Sequence, residues 1–295
     1  MDGSGSTFLA GFENGAIRLL RHPITTAPPT PNTPLLQLLY VSRPHSAAVC
    51  AVAMSTSGRQ LVTAGKDGTV FFFTVEGPAT IQPLCFIRVP HPATSLSISE
   101  DSRVILTLQN GDVMACAFLD PSSIDNAVSY ETTLSTLQPF CPAHFGESAG
   151  HKVNAATWLT RAGMSPSLIL ATTQNEITFD LRLVDALEPS QGQVIATFTS
   201  PVQQCHVTAT RLIATTAQGQ TVSIALDDLP KSGSSNVPRF VHVDQAATGE
   251  TASAVDATWD EALLISGGQD GALFVHRHPN KEVLKDEGLC FEDSI

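Results

Sequence analysis

A short phrase recurs along this chain of 295 residues and constrains its fold more than any other feature. Each copy consists of an apolar run, a tight turn and a second apolar run. Four copies carry Asn-Gly or Asp-Gly at the turn, and two weaker ones carry Gln-Asn or Gln-Gly: Phe8–Leu20, Leu61–Phe73, Val104–Cys116, Leu168–Leu181, Leu212–Leu226 and Leu263–Val275. Asn-Gly between apolar runs is the strongest short-range signal of a hairpin in which both turn residues have positive φ. The sequence therefore predicts six hairpins.

The spacing of the turns indicates which repeat this is. Successive turns lie 43 to 64 residues apart. The shortest intervals match the roughly 40–45 residues of a four-stranded propeller blade, and the longer ones fit blades with loop insertions. We therefore predict an all-β propeller with six recognisable blades. A truncated seven-bladed ring is the alternative.

Each hairpin is flanked by one strand on either side. The run before it is rich in Ala, Ser and Val, as expected where inner strands crowd around a channel: Ala48–Met54, Ala93–Ile98, Val153–Trp158, Cys205–Ala209 and Val255–Trp259. The run after it predicts an outer strand: Leu36–Val41, Leu84–Val89, Val194–Thr199 and Phe240–Asp244. The predicted unit is inner strand, hairpin, outer strand.

The two ends of the chain do not complement each other. The first blade lacks a candidate inner strand, and the last has its inner three strands followed by a short acidic segment. We expect one propeller domain over residues 1–279 and an acidic tail over residues 280–295. This pattern also predicts that the chain is the propeller part of a longer protein, or a shortened copy whose seventh blade was lost upstream.

The repeats resemble those of the WD40 family over nearly the whole chain, although in a degenerate form. Gly150-His151 matches the Gly-His dipeptide of that family, His45 and His91 match only its His, and Asp67 and Asp270 match the Asp of its second turn. None of the third strands ends in the Trp-Asp of that family. The family's His–Ser/Thr–Trp hydrogen-bond network is therefore expected to be incomplete in every blade.

Three segments narrow the resemblance to the large cilia- and flagella-associated WD-repeat proteins of the axoneme. These are Ala47–Phe73, Pro83–Pro90 and Gly271–Arg277, whose blades similarly favour Asp-Gly followed by apolar residues and Phe. Such proteins tether inner dynein arms to the doublet microtubule. The resemblance implies a scaffold role, protein partners that are axonemal or dynein-associated, and a place in the cytoplasm or the cilium. It carries over no functional residues.

Composition and charge restrict the classes of partner. The net charge is −12, and the 16 Lys and Arg residues are scattered without a run. Nucleic acid and anionic membrane surfaces both require clustered cations, so neither is an expected partner. No apolar stretch approaches the roughly 20 residues of a transmembrane helix, and Met1–Ser6 lacks the features of a signal peptide. An intracellular compartment is predicted, and no small-molecule substrate is evident.

No motif predicts a catalytic, cofactor-binding or metal-binding residue. The cysteines never approach a C-x-x-C spacing and are interpreted as reduced thiols, and the loose cluster of Cys141, His144 and His151 lacks a fourth ligand. Gly65–Gly68 is interpreted as a tight turn, the pairs Asp227-Asp228 and Glu292-Asp293 as solvated carboxylates, and Phe71–Phe73 as a strand buried between blades.

Two classes of function stay open at this point. The first is a non-enzymatic scaffold for protein partners, within the axoneme or as a general intracellular adaptor. The second is an enzyme with a site at the channel mouth. The inner strands begin with Ala47, Ala93, Val153, Gln204 and Ala254, which places no ring of His, Asp or Glu there and favours the scaffold.

Insertions predict the working surface of the scaffold. Four Pro-rich or polar stretches lie between predicted third and fourth strands and should share one rim: His22–Pro34, Glu76–Gln82, Val184–Gln193 and Asp227–Pro238. Pro139–Gly150 connects two blades and should rise on the other rim with the hairpin turns. Binding residues often lie on such loops, so we expect partner contacts on the insertion rim.

Overall fold

The structure of the chain is a computed structural model. It describes residues 7–21, 37–77, 80–118, 131–132, 138–140, 151–159, 167–174, 177–186, 192–208, 210–229, 239–243, 252–257, 263–268 and 273–277. For residues 131–132, 138–140 and 151, and for every described segment from 239 onward, the description covers the backbone alone.

The sheets of the first three blades contain 12 of the 23 described strands. Blade 1 has three strands, β1 (Thr7–Gly11), β2 (Ile17–Arg21) and β3 (Gln37–Ser42). Blade 2 has four consecutive strands, β4 (Val49–Met54), β5 (Gln60–Gly65), β6 (Thr69–Glu76) and β7 (Thr80–Arg88). Blade 3 has β8 (Ala93–Ile98), β9 (Arg103–Leu108), β10 (Val113–Ala117) and β12 (Gln138–Phe140). Between the last two, β11 (Glu131–Thr132) leaves blade 3 and pairs in parallel with β7 as a fifth strand of blade 2.

The remaining three blades repeat the same order. Blade 4 has β13 (His151–Leu159), β14 (Ser167–Gln174), β15 (Thr178–Asp185) and β16 (Gly192–Phe198). Blade 5 has β17 (Val202–Val207), β18 (Arg211–Thr216), β19 (Gln220–Ala225) and β20 (Arg239–Val243), with a 3-10 turn at Leu226–Asp228. Blade 6 has β21 (Ala252–Ala257), β22 (Leu263–Gly268) and β23 (Leu273–Arg277). The predicted all-β propeller with six blades is confirmed.

Two strands were not predicted from the sequence. The outer strand β12 takes up Pro139 and Phe140, which were expected in the connection between blades. The short strand β11 was also missed, because two residues are too few to produce an apolar alternation. The predicted insertions are also shorter than expected at their ends: Ile81 and Gln82 belong to β7, and Val184 and Gln193 belong to β15 and β16. The remaining insertion residues lie mainly outside the described ranges.

The hairpin turns differ in type from the prediction. Gly15, Gly68, Gly111 and Gly219 all have positive φ, between 75° and 93°. The residue before each does not, since Ser102 is the only non-glycine residue with positive φ in the described part of the chain. Each glycine N–H instead donates to the carbonyl three residues earlier, as Gly15 does to Phe12 at 3.1 Å. This is a turn of three loop residues that ends in a glycine bulge, so only the glycine needs the left-handed conformation. Asn175 and Gly271 lie outside the described residues.

The apolar core lies between neighbouring blades. Alternate residues of one strand point to opposite faces of its sheet. In β5, Leu61 packs with Ile17 and Leu19 of blade 1, whereas Val62 packs with Val104 and Leu106 of blade 3. Similar clusters join blade 3 to blade 4 and blade 4 to blade 5. Val70 and Phe72 are fully buried as predicted, and the side chain of Leu273 lies outside the described residues.

Inner strands of blades 3 and 4 are also joined by side-chain hydroxyls. The N–H groups of Ala156 and Trp158 donate to Ser95 Oγ and Ser97 Oγ at 3.2 and 3.3 Å. Thr94 Oγ1 donates to the carbonyl of Asn154 at 3.1 Å. The Ser and Thr residues of β8 therefore have a second role besides allowing close packing, because their hydroxyls form hydrogen bonds with the backbone of the next blade.

The hairpin turns share one rim with the connections between blades. In blades 2, 3 and 5, the residue two positions before the hairpin glycine donates its N–H to the carbonyl of the residue directly before the inner strand. The donor and acceptor pairs are Lys66 and Ala48, Gln109 and Pro92, and Ala217 and Pro201. We call this the turn rim and the other end of the ring the opposite rim. None of the helices that the structure describes is both long and apolar enough to span a bilayer.

Candidate functional site

Blade 2 contains a buried polar network around His45. This residue lies between β3 and β4, and its side chain is fully buried. Its Nε2 lies 2.9 Å from Thr63 Oγ1, and its Nδ1 lies 2.9 Å from Thr69 Oγ1 and 3.4 Å from Asp67 Oδ1. The Thr69 hydroxyl donates to Asp67 Oδ1 at 2.6 Å. Because that hydroxyl has donated its proton, His45 Nδ1–H donates to Thr69 and Nε2 accepts from Thr63.

The network fixes the connection between blades 1 and 2 on the hairpin turn of blade 2. Ser46 N–H donates to the second oxygen of Asp67 at 2.7 Å, and Thr69 N–H donates to the first at 3.1 Å. A Cβ added at Gly65 would lie 2.5 Å from both Asp67 Oδ1 and His45 Nδ1, so only glycine leaves room for the contact. The arrangement is structural: it holds the turn rim rather than presenting a reactive group.

The pKa values of His45 and Asp67 are both lower than the ordinary values of these side chains. Burial lowers the pKa of His45, and the nearby Asp67 carboxylate, which raises it, offsets this only in part. Burial alone would raise the pKa of Asp67. The carboxylate accepts hydrogen bonds from the Thr69 side chain and from the backbone N–H groups of Ser46 and Thr69, and it also lies near the charge of His45. Together these interactions lower the pKa of Asp67 to about 2. Near neutral pH the pair is therefore neutral imidazole and carboxylate.

The lowered pKa of His45 predicts a pH-dependent stability. The unfolded chain binds a proton at His45 below pH 6.5, the ordinary pKa of a histidine, whereas the folded chain does not until a lower pH. The free energy of unfolding should therefore fall as pH falls below 6.5. The lowered pKa of Asp67 adds a separate loss of stability at lower pH, as the pH falls from 3.8 to about 2.

Urea denaturation measured from pH 8 to pH 5 tests this expectation. The variant His45→Asn should be less stable at pH 8 and should lose most of the slope below pH 6.5. The matched control is His91→Asn, because His91 is exposed. This variant should keep the pH dependence of stability of the unmodified chain. Equal slopes in all three proteins would contradict the assignment.

Blade 1 presents an apolar face away from blade 2. A bulge in β3 aligns Leu19 with Tyr40 and Leu20 with Leu38, so Leu39 is the extra residue. Leu39 and Tyr40 then both point toward the core of blades 1 and 2, against which they pack. Leu38 and Val41 consequently point to the other face, where 51% and 52% of their surface is exposed.

Two more apolar side chains share that face. Phe8 aligns with Leu20, and Leu20 aligns with Leu38, so all three lie on the same side of the sheet. Phe8 and Leu20 are half-buried. Arg18 aligns with Val41, and its guanidinium lies 4.6 Å from the ring centroid of Phe12. We call Phe8, Leu20, Leu38 and Val41 the blade 1 face.

A shallow polar pocket of about 340 Å³ lies on the opposite rim between blades 2 and 3. Its lining includes Arg59, Gln60, Glu100 and Ser102, and Gln60 Nε2 donates to Ser102 Oγ at 2.9 Å. Ser102, with φ of 61°, holds the turn position that Gly58 holds in blade 2. The left-handed backbone of Ser102 thus belongs to a tight turn, and the pocket is formed by the meeting of two such turns.

Most candidate residues from the sequence have simple roles or lie outside the described residues. Gly65–Gly68 forms the hairpin turn, and Asp227 and Asp228 lie exposed in the 3-10 turn. Phe72 and Phe73 are buried, and Phe71 stacks on Phe86 at 5.1 Å. Cys141, His144, Glu292 and Asp293 and the side chain of His151 are not among the described residues. Within the described ranges, no three His, Cys, Asp or Glu side chains meet as a metal site would require.

Three of the described cysteines have thiols that burial makes less acidic. Burial raises the pKa of Cys50 to about 11 and the pKa of Cys116 and Cys205 to about 12. The thiolate is the reactive form, so these side chains are inert near neutral pH.

Sequence reasoning missed the threonines of the His45 network and the blade 1 face. The sequence signal for Thr69 is its position directly after Asp67-Gly68. The network lacks the family's Trp, as expected, since Phe73 ends the buried part of β6, yet its Asp–His–Thr part is formed. The chain does contain one Trp-Asp dipeptide, Trp259-Asp260, which follows inner strand β21 rather than a third strand.

Comparison with known proteins locates the repeat. The family model described as "WD domain, G-beta repeat" (WD40) matches residues 36–74, which include β3 to β5, most of β6 and the His45 network. The chain is also similar to the β-propeller domain of Cps50 (Swd1) from Myceliophteria thermophila, with a TM-score of 0.60 and 13% identity over 94% of this chain and 81% of that one. This likeness supports the fold alone.

Two curated relatives share part of the chain. It is 28% identical over 152 residues to cilia- and flagella-associated protein 44 of Chlamydomonas reinhardtii, which is 45% of this chain and 8% of that protein. It is 33% identical over 110 residues to ASTRA-associated protein 1 of Verticillium alfalfae, which is 36% of this chain and 26% of that protein. The chain thus spans a small part of either relative's length. Residues 36–74 therefore match a WD40 repeat, and the chain that carries them folds as a β-propeller.

Proposed function

We propose that this protein is a non-enzymatic scaffold that binds other proteins through the blade 1 face. The observation that carries the proposal is the exposure of Leu38 and Val41. Each is about half exposed and the two lie on one face, whereas Ile177 is the only other large apolar side chain that is exposed among the described residues. Clustered exposed apolar side chains on a folded protein mark interaction surfaces.

The place of the scaffold is proposed from the comparisons. Similarity to cilia- and flagella-associated protein 44 supports a place in the cilium or flagellum. We propose that the chain contacts axonemal, dynein-associated proteins there, as the resemblance of its repeats implies. Similarity to ASTRA-associated protein 1 supports the alternative of a general intracellular adaptor. Fluorescent tagging in a ciliated cell decides between them. Enrichment along the cilium supports the first, and a signal confined to the cell body supports the second.

The double variant Leu38→Asp, Val41→Asp is expected to lose partner capture by at least about tenfold, because two carboxylates would have to be desolvated in an apolar interface. Thermal unfolding should be nearly unchanged, since both side chains already face water. The measurement is affinity purification from extracts of ciliated cells, with bound proteins quantified by mass spectrometry.

The control is Ile177→Asp, which places the same charge at an apolar residue that is 80% exposed on blade 4. This variant should capture partners as the unmodified protein does. Equal capture by all three proteins would move the binding surface away from blade 1, toward the insertion rim predicted from the sequence.

A further inference from the structure

One arginine lies among the apolar side chains on the side of blade 1 that carries the blade 1 face. Arg18 precedes Leu20 by two residues in β2, so both point to the same side of the sheet. Arg18 also aligns with Ala10 of β1 and with Val41 of β3. Of the residues that β1 to β3 place on this side, Arg18 alone is charged. Its positive charge is therefore flanked by apolar groups on both neighbouring strands.

The guanidinium of Arg18 is positioned by an aromatic ring rather than by a carboxylate. Its central carbon lies 4.6 Å from the ring centroid of Phe12, within the range of a cation–π contact. The side chain is exposed, and no carboxylate pairs with it in the part of the chain that the structure describes. A cation–π contact supplies no acceptor oxygen to the N–H groups of a guanidinium. Arg18 thus retains N–H donors for a carboxylate.

We propose that the blade 1 face binds an extended segment of a partner protein that places a carboxylate against Arg18, with apolar side chains beside it. This rests on the proposed scaffold function and specifies the chemistry of the partner. Arginine and large apolar side chains at the centre of a patch are typical of the residues that dominate the binding energy of protein interfaces. A carboxylate accepts two parallel hydrogen bonds from one guanidinium, which gives the pair a defined orientation.

The spacing of side chains on the sheet determines the spacing expected in the segment. Arg18 and Leu20 are alternate residues of one strand, which places them roughly 7 Å apart along it. Alternate residues of an extended peptide have the same spacing and also point to one side. We therefore expect the carboxylate of the partner two residues from an apolar side chain, which would cover Leu20 and its aligned neighbour Leu38.

Two other occupants fit this surface less well. A twofold dimer of the chain would pair the patch with itself, and the patch offers Arg18 but no carboxylate to neutralise it. Such a dimer would bury an unpaired charge, which is costly. Another part of the same chain does not lie over the face among the described residues, since Leu38 and Val41 are 51% and 52% exposed. The complementary occupant is an acidic, apolar segment of a different protein.

The negative charge of the whole chain does not prevent such a contact. The net charge is −12, but exposed charges further apart than about 8–10 Å are largely screened at physiological ionic strength. The distant carboxylates therefore slow the approach of an acidic partner, whereas the nearby Arg18 determines how long the partner stays bound.

Selection from a library of random 12-residue peptides, displayed on phage and passed over the immobilised whole chain, tests the proposal. Peptides that also bind the double variant Leu38→Asp, Val41→Asp are removed, so that those retained depend on the blade 1 face. The retained sequences should share Asp or Glu with an apolar residue two positions away. Fluorescence anisotropy of one synthetic peptide at about 0.15 M salt then measures its Kd for each variant.

A double-mutant cycle assigns the carboxylate to Arg18. Replacing the acid of the peptide by its amide, or Arg18→Gln in the chain, should each weaken binding at least about fivefold. Both changes together should cost no more than either alone, because they remove the same pair. Arg18→Glu should recover binding to a peptide with Lys in place of the acid. The control Arg59→Gln removes an exposed arginine on the opposite rim and should bind as the unmodified chain does.

The outcomes separate this proposal from the scaffold function. Losses that add in the cycle would overturn the proposal, because the acid would then contact another residue. Retained peptides without an acid would also overturn it, and their dependence on Leu38 and Val41 would leave the blade 1 face as the interface. If every selected peptide binds the double variant as well as the unmodified chain, both this proposal and the proposed binding surface are wrong.

Discussion

Phe72→Ala is expected to lower the free energy of unfolding by about 3–5 kcal/mol, as is typical of a large cavity in a packed core. The side chain is fully buried between blades 2 and 3, and its ring lies edge-to-face with Phe118 at a centroid distance of 5.7 Å. Val70 and Leu106 in the same cluster are also fully buried, so little can collapse into the space. Urea denaturation followed by tryptophan fluorescence measures the loss.

Ile177→Ala serves as the control for Phe72→Ala, because Ile177 is 80% exposed and its truncation opens no cavity. A change below about 0.5 kcal/mol is expected there. A similarly small change for Phe72→Ala would mean that β6 presents its other face to blade 3. The equivalent truncation at Leu273 stays a prediction from the sequence alone.

Gly15→Ala is expected to destabilise the fold by about 3 kcal/mol or more, because a backbone cost and a steric clash coincide. The residue has φ of 82°, where an L side chain costs roughly 1–2 kcal/mol. Its added Cβ would also lie 2.2 Å from the carbonyl oxygen of His45 and 2.8 Å from that of Ala47, both of them backbone atoms. The connection between blades 1 and 2 would have to move, and the His45 network would move with it. Thermal and urea unfolding measure the effect.

Gly77→Ala separates the two costs. Gly77 has a similar φ of 72°, but nothing lies within 4 Å of its added Cβ. Its substitution should therefore show the backbone cost alone, about 1–2 kcal/mol. Equal effects at Gly15 and Gly77 would show that the connection yields easily to the extra methyl group and that the turn does not clamp it.

The hairpins and inner strands were predictable because both signals are local. The run Ala93–Ile98 forms β8 with the bounds expected, and the hairpin of Leu61–Phe73 forms β5 and β6 around Gly68. The turn type was not predicted correctly, since both Asp-Gly and Asn-Gly fit either turn and the choice depends on the loop length. In the structure Asp67 uses its carboxylate to accept from Thr69 N–H, which a negative φ permits.

The blade 1 face was not predictable, because it depends on a single bulge. Without the bulge at Leu39, strict alternation would place Leu38 and Tyr40 on one face and Leu39 and Val41 on the other. The pairing of β11 with β7 was hidden for a different reason. It joins residues that lie 45 positions apart, such as Glu131 and Phe86, and nothing in the local sequence of either strand specifies the other.

The hydroxyl contacts between β8 and β13 determine how two blades can slide. Apolar contacts are non-directional, so two apolar faces can shift along each other at little cost over short distances. Hydrogen bonds lose strength steeply when distance and angle change. Ser95 and Ser97, each bound to an alternate amide of the next blade, therefore fix the height of blade 4 relative to blade 3. Any tilting that the ring undergoes when a partner binds should be taken up at the seams that rely on apolar contact alone.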